Sequence, residues 1–188
     1  MIFSLFNFAQ KKAMKIPFLL LLLSAYICMA QNKAEQKLEH YPVDQYVKPI
    51  NNLRSEAALE LASRITKAAY IKNRNVSIAV LDASGTTILI LRGNDVGPHN
   101  AEASRRKAYT ALSTKTPTLL LLRNAEQNAD TKNLNTLPEL LLLSGGVPIW
   151  YKGNIIGSVG VSGGGSPEND DWIARSASIP ELEITTSK

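Results

Sequence analysis

The chain has 188 residues, with 21 Lys and Arg against 16 Asp and Glu, one cysteine and two histidines. A single cysteine excludes a disulfide framework and a thiolate metal site, and two histidines without cysteine partners argue against a zinc site, which needs three or four ligands. Charges of both signs are interspersed without a basic stripe, which argues against a nucleic-acid partner.

Residues 1–30 read as an export signal. Met14-Lys15 leads into IPFLLLLLSAYI and CMA, giving a short basic region, an apolar core and a small residue, Ala30, at the cleavage point. A start at Met14 gives the more regular signal, because the residues before it form an awkward extension. A transmembrane anchor is the competing reading, but the apolar run falls short of the roughly 20 residues a span requires. Lipoprotein processing at Cys28 is a third, and it sets Tyr26 and Ile27 where small residues belong. Cleavage removes Cys28 together with Lys11, Lys12 and Lys15, so 18 basic residues face 16 acidic ones, a formal +2. The expected product is a periplasmic or secreted protein with no membrane span, long enough for one domain with its own core.

Residues 31–50 are polar and broken by Pro42 and Pro49, and read as a flexible arm with His40 as a solvated histidine. The domain is expected over 51–180. Its first helix carries Ala58, Leu61, Ala62, Ile65 and Ala69 on one apolar face, with Asn51 or Asn52 as its cap. NVSIAVLD and TTILILR follow as a hairpin around Ala83-Ser84-Gly85. Both runs are apolar at most positions, so the sheet is expected to be covered on both faces. Arg92 closes the second strand.

Asn100 is the expected cap of a helix over 101–113, in which Ala101, Ser104, Ala108 and Ala111 form a face of small side chains. Such a face lets a helix approach a sheet, a second helix or a flat ligand closely. TPTLLLLRNAEQ reads as a shorter helix with Pro117 in its first turn, and NADTKNLNTLPE as a polar loop. LLLLSGGVPIWYKGNIIGSVGVSGGG holds two or three strands, with a turn at Lys152-Gly153-Asn154. Ser166 caps a final helix with Pro167 first and Glu168, Asp170 and Asp171 at its positive end. The polar tail, 181–188, is expected to fray. Strands arriving as hairpins between groups of helices predict an α+β domain with an antiparallel sheet.

The familiar catalytic patterns fail one by one. GVSGGGSPE runs into a helix start but lacks the Lys-Ser/Thr of a P-loop, and its acids would repel an anion. There is no G-x-S-x-G elbow, Ser162 has no evident base, and Asp170-Asp171 suits a helix start. What remains is one imidazole, His99, ahead of a small-faced helix, with Arg92, Arg105, Arg106 and Lys107 close in sequence. A haem site asks for an axial ligand, cations for two propionates and flat apolar walls. A lone histidine at a helix start is more often structural than a ligand.

VSIAVLDASGTTILILRGNDVGPHNAEASRRKAYTALSTKTPTLL and LPELLLLSGGVPIWYKGNIIGSVGVSGGGSPENDDWIARSA together resemble the GlcG/HbpS-like family of haem-binding, haem-degrading-domain proteins. The likeness runs from about Asn52 to Ala177. It rests on the combination of V-x-D-x-x-G, KAYTA, GGVPI and IGSVGVSGG followed by an acidic pair. Where the commoner pattern has Asp-Gly-Ala and a Ser before the helix, this chain has Asp95-Val96-Gly97 and Pro98-His99-Asn100. The resemblance implies a profilin-like fold, about five antiparallel strands flanked by helices, and homo-oligomers. It also implies haem as cofactor, with His99 as ligand to the haem iron, Arg92, Arg105 and Arg106 as propionate partners, and Tyr109 as an alternative phenolate ligand. Three readings stand at this point. The first is an exported haem-binding protein for sequestration, sensing or iron handling. The second is an enzyme acting on a small organic acid or tetrapyrrole, haem degradation included. The third is an oligomeric binding or scaffold module.

Overall fold

The computed structural model describes residues 23–29 and 42–188. Most of the expected export signal and of the arm's first part, including Ala30 and His40, lies outside the described residues. Residues 23–29 are helical, and no helix among the described residues is long and apolar enough to cross a membrane. Within 42–50 the chain makes one 3-10 turn, Val43–Gln45.

From Ile50 onward the chain forms one compact unit. Its helices are α1 (Ser55–Ile71), α2 (His99–Thr114), α3 (Thr118–Gln127), α4 (Ala129–Asn133) and α5 (Pro167–Arg175). Its strands are β1 (Ser77–Asp82), β2 (Thr87–Arg92), β3 (Gly146–Tyr151), β4 (Asn154–Ser162) and β5 (Ile184–Thr185). They make one antiparallel sheet in the order β2-β1-β4-β3-β5. This is the expected α+β, profilin-like arrangement.

Alternation along the strands sorts side chains between two layers. Ile78, Val80, Val147, Ile149, Val159 and Val161 pack with Leu61 and Ile65 of α1 and Ile173 and Ala174 of α5 in the main core. The expected apolar face of α1 is buried at all five positions. On the opposite face, Ala79 and Leu81 meet Ala108 of α2.

Several expectations change for local reasons. The backbone of α1 starts after Arg54 without a side-chain cap. Asn52 instead accepts hydrogen bonds from Leu53 N and, at 2.7 Å, from Ala83 N, while its amide donates to Asp82. β2 is an edge strand whose Ile90 and Leu91 are exposed, so the sheet is covered on both faces at β1 but not there. Asn100 lies inside α2 rather than capping it, because the helix begins at His99 behind Pro98. Pro117 is the residue before α3, one position earlier than expected. The polar loop after α3 winds into α4, with Asn128 Oδ1 accepting from Asp130 N and Thr131 N. Of the two or three strands expected after residue 140, two form, and the fifth comes from the stretch read as a fraying tail. There Ile184 pairs with Tyr151 and bridges to Ile179, and Thr186 donates to Arg175 O.

The Asn52 contact joins the start of α1 to the β1–β2 turn. Burial pushes the Asp82 carboxyl up, but hydrogen bonds from Ser84, Thr86 and Asn52 outweigh it and hold the group below its ordinary value. A depressed carboxylate stabilises the fold above the unfolded value, about 3.9, and the gain is lost as acid protonates Asp82. Asn52→Ala is expected to cost about 1 kcal/mol at neutral pH, read as a lower urea midpoint. The gap should narrow below pH 4 as Asp82 loses its charge.

Candidate functional site

Helix α2 carries most of the candidate residues, and the sheet determines how it lies. Gly146 on β3 and Gly160 on β4 are direct register partners, so two missing side chains open a trough on this face. A Cβ on Gly160 would run into Ser104 O, and one on Gly146 into Lys107 O. The helix backbone therefore rests on the sheet backbone, with Ser104, Ala108 and Ala111 of the small face fully buried. Ala101, the fourth member of that face, is partly buried.

The same buried face includes Lys107. Its ammonium donates to Asp170 Oδ2 at 2.8 Å, to Val161 O at 2.9 Å and to Ser162 Oγ at 3.3 Å. Asp170 Oδ1 in turn accepts from Gly164 N at 2.7 Å. An ammonium only donates, so the Ser162 proton turns outward, to Asn100 Oδ1 at 2.8 Å. The Asn100 amide then faces Gly97 O at 3.2 Å and His99 Nε2 at 3.3 Å. A polar chain thus runs from the buried ion pair to His99. Asp170 acts as the counter-ion of Lys107 and not solely as a helix-start acid, a role the sequence reading did not assign.

His99 itself is exposed at the first residue of α2, with its Nδ1 and Cε1 edge close to Gly97. Arg92 is exposed at the other end of the loop 93–98 and donates to Val96 O at 2.7 Å. The structure therefore brings Arg92 and His99 to one end of the sheet. The other three lie further along the helix. Arg105 is held by Glu102 and Glu139, each at 2.8 Å, and their carboxylates push its guanidinium further up while Arg105 pulls Glu102 down. Arg106 donates to Pro138 O and Leu140 O, and its Nε is buried without a partner among the described residues. Leu141 N donates to Thr110 Oγ1, so residues 138–141 form a strap across the outer side of α2. Tyr109 is half-buried between Ala79 and Leu81 on one side and the Leu121, Leu140 and Leu142 cluster on the other. At 1.5 Å of rise per residue it stands about 15 Å from His99 along the helix, so the two are alternatives and not a pair.

Among the described residues no three His, Cys, Asp or Glu side chains gather as a metal site. A groove of about 650 Å³ lies on the α1 side of the sheet, between the start of α1 and the C-terminal segment. Leu53, Ala57, Ile156, Ile179 and Ile184 form its apolar walls, and none of the sequence-predicted site residues lines it.

Comparison with known proteins bears on this arrangement. A family model described as "Haem degrading protein HbpS-like" matches residues 53–178. Protein GlcG of Escherichia coli strain K12 is 38% identical over 109 residues, 55% of this chain and 78% of GlcG. The crystal structure of a double mutant of Streptomyces reticuli HbpS matches with a TM-score of 0.64 at 35% identity, covering 70% of this chain and 88% of that one. The crystal structure of a PduOC complex with heme matches with a TM-score of 0.63 at 27% identity, covering 73% and 99%.

Proposed function

The chain belongs to the family of haem-degrading, HbpS-like proteins, and from that premise we propose that it is an exported haem-binding protein whose axial ligand is His99. The observation that carries the reading is the exposed imidazole at the start of α2, joined by the loop 93–98 to the exposed guanidinium of Arg92 at the end of β2. An imidazole is a haem ligand and a guanidinium a propionate partner. The donor set of this end of the sheet therefore fits the group.

Haem, when bound, supplies the iron and its redox and ligand chemistry. The protein's part is to hold it. His99 Nε2 lies 3.3 Å from the Asn100 amide and would be the nitrogen that holds the iron, giving up that contact. Arg92 uses one of its five N–H groups on Val96 and offers the others. Arg105 and Arg106 would hold propionates only by giving up their contacts to Glu102, Glu139 and the strap carbonyls. Tyr109 remains the alternative ligand, as a phenolate. An exposed ligand needs a second wall around the ring, which assembly into a homo-oligomer provides. The heme in the PduOC complex supports the choice of cofactor.

Titration of the purified protein with hemin is expected to shift the Soret band with saturable stoichiometry. His99→Ala should weaken binding at least roughly tenfold and change the band position, while His40→Ala leaves both unchanged. A band that does not move, or one that moves identically in His99→Ala, sinks the assignment of the ligand.

A further inference from the structure

The C-terminal end of α1 and the outer side of α5 form a second surface. Tyr70 and Ile71, the last residues of α1, are 63% and 73% exposed, and Trp172 on α5 is 45% exposed. Lys72 Nζ lies 4.7 Å from the centroid of the Trp172 ring, which joins the two helices' contributions into one patch. The Arg74 guanidinium lies against Gly165, just ahead of α5. Large apolar side chains grouped at the surface mark contact sites more often than scattered ones do.

Charge identifies the occupant. Residues 67–76 contain Lys67, Lys72 and Arg74 and no acid. The acids of α5 are each neutralised: Glu168 by Arg123, Asp170 by Lys107 and Asp171 by Arg175. The patch is therefore aromatic, apolar and net positive. Tryptophan and tyrosine favour the headgroup level of a bilayer, and basic residues beside them are drawn to anionic lipid. A second copy docked on the same face across a two-fold axis would bring two net-positive patches together, which works against association.

We propose that this face docks on the surface of an anionic lipid bilayer. Tyr70, Ile71 and Trp172 enter the headgroup layer, and Lys72 and Arg74 meet lipid phosphates. The inference is independent of the haem reading, since none of these residues belongs to that site.

The test uses the full chain and reads Trp172 itself, so that any lipid affinity of the apolar N-terminal segment does not count. Trp150→Phe leaves Trp172 as the sole tryptophan. Vesicles containing phosphatidylglycerol are expected to shift its emission to the blue, and brominated phosphatidylglycerol to quench it. Phosphatidylcholine vesicles should do neither, and high salt should reverse both. Lys72→Glu with Arg74→Glu should weaken the response more than roughly twentyfold, since each basic residue near the surface is worth about fivefold. The single Lys72→Glu variant guards against a folding defect at Arg74. Trp172 emission unmoved by anionic vesicles, or moved equally in the charge-reversed variant, overturns the proposal. So does a blue shift that grows with protein concentration in the absence of lipid, which would assign the face to self-association.

Discussion

Gly160→Ala is expected to lose about 3 kcal/mol or more, a large part of the 5–15 kcal/mol that holds an ordinary domain folded. The methyl group would meet Ser104 O and, at 2.7 Å, Ala108 N, both backbone atoms that no rotamer change can move aside. Relief requires lifting α2 off the sheet, which opens gaps at Ser104, Ala108 and Ala111, all fully buried. Gly153→Ala is the control. That residue has a φ of +75° but open space around it, so its cost is limited to the about 1–2 kcal/mol of the left-handed backbone. Urea unfolding followed by circular dichroism separates the two. Equal losses would show that the trough is not what makes position 160 sensitive.

Lys107→Met is expected to cost about 3–5 kcal/mol. The substitution keeps most of the side-chain volume but leaves the Asp170 carboxylate buried beside Gly164 without its cation. Adding Asp170→Asn should recover part of the loss, because a neutral amide is cheaper to bury and its oxygen still accepts from Gly164 N. A double-mutant cycle measures the pair directly. Additive losses would mean that the two groups do not interact as the 2.8 Å contact requires. Because Ser162 and Asn100 continue the chain from Lys107, the His99 ring signals in a proton NMR spectrum should move in both variants.

The sheet was readable wherever periodicity is long. Five apolar positions at helical spacing define the buried face of α1, and the β-branched runs around Ala83-Ser84-Gly85 define the first hairpin. The fifth strand was not readable, because two residues, Ile184 and Thr185, give no alternation to count, and their pairing depends on β3 being in place. Burial of Lys107 did leave a signal. It falls three residues after Ser104 and immediately before Ala108, on the stripe whose small residues mark the helix's inner face. Its place in an Arg-Arg-Lys run disguised it as surface charge, and its partner stands 63 residues away. The candidate site was legible as residue types but not as an arrangement. Sequence put Arg92, His99, Arg105, Arg106 and Tyr109 in one neighbourhood, whereas the strap and the Glu102 and Glu139 carboxylates, which occupy two of these arginines, come from tertiary packing.

The glycine pair also works as an index. A helix on a flat sheet can roll about its axis, and advancing its register by one residue turns every side chain by about 100°. With its backbone lowered between β3 and β4 over Gly146 and Gly160, α2 cannot roll without driving Cβ atoms into strands. Its azimuth is fixed, and with it the bearing of the outer stripe that begins at His99 and passes under the strap at Arg106. The direction in which the imidazole faces the surroundings is thus determined by two positions in the sheet that have no side chain.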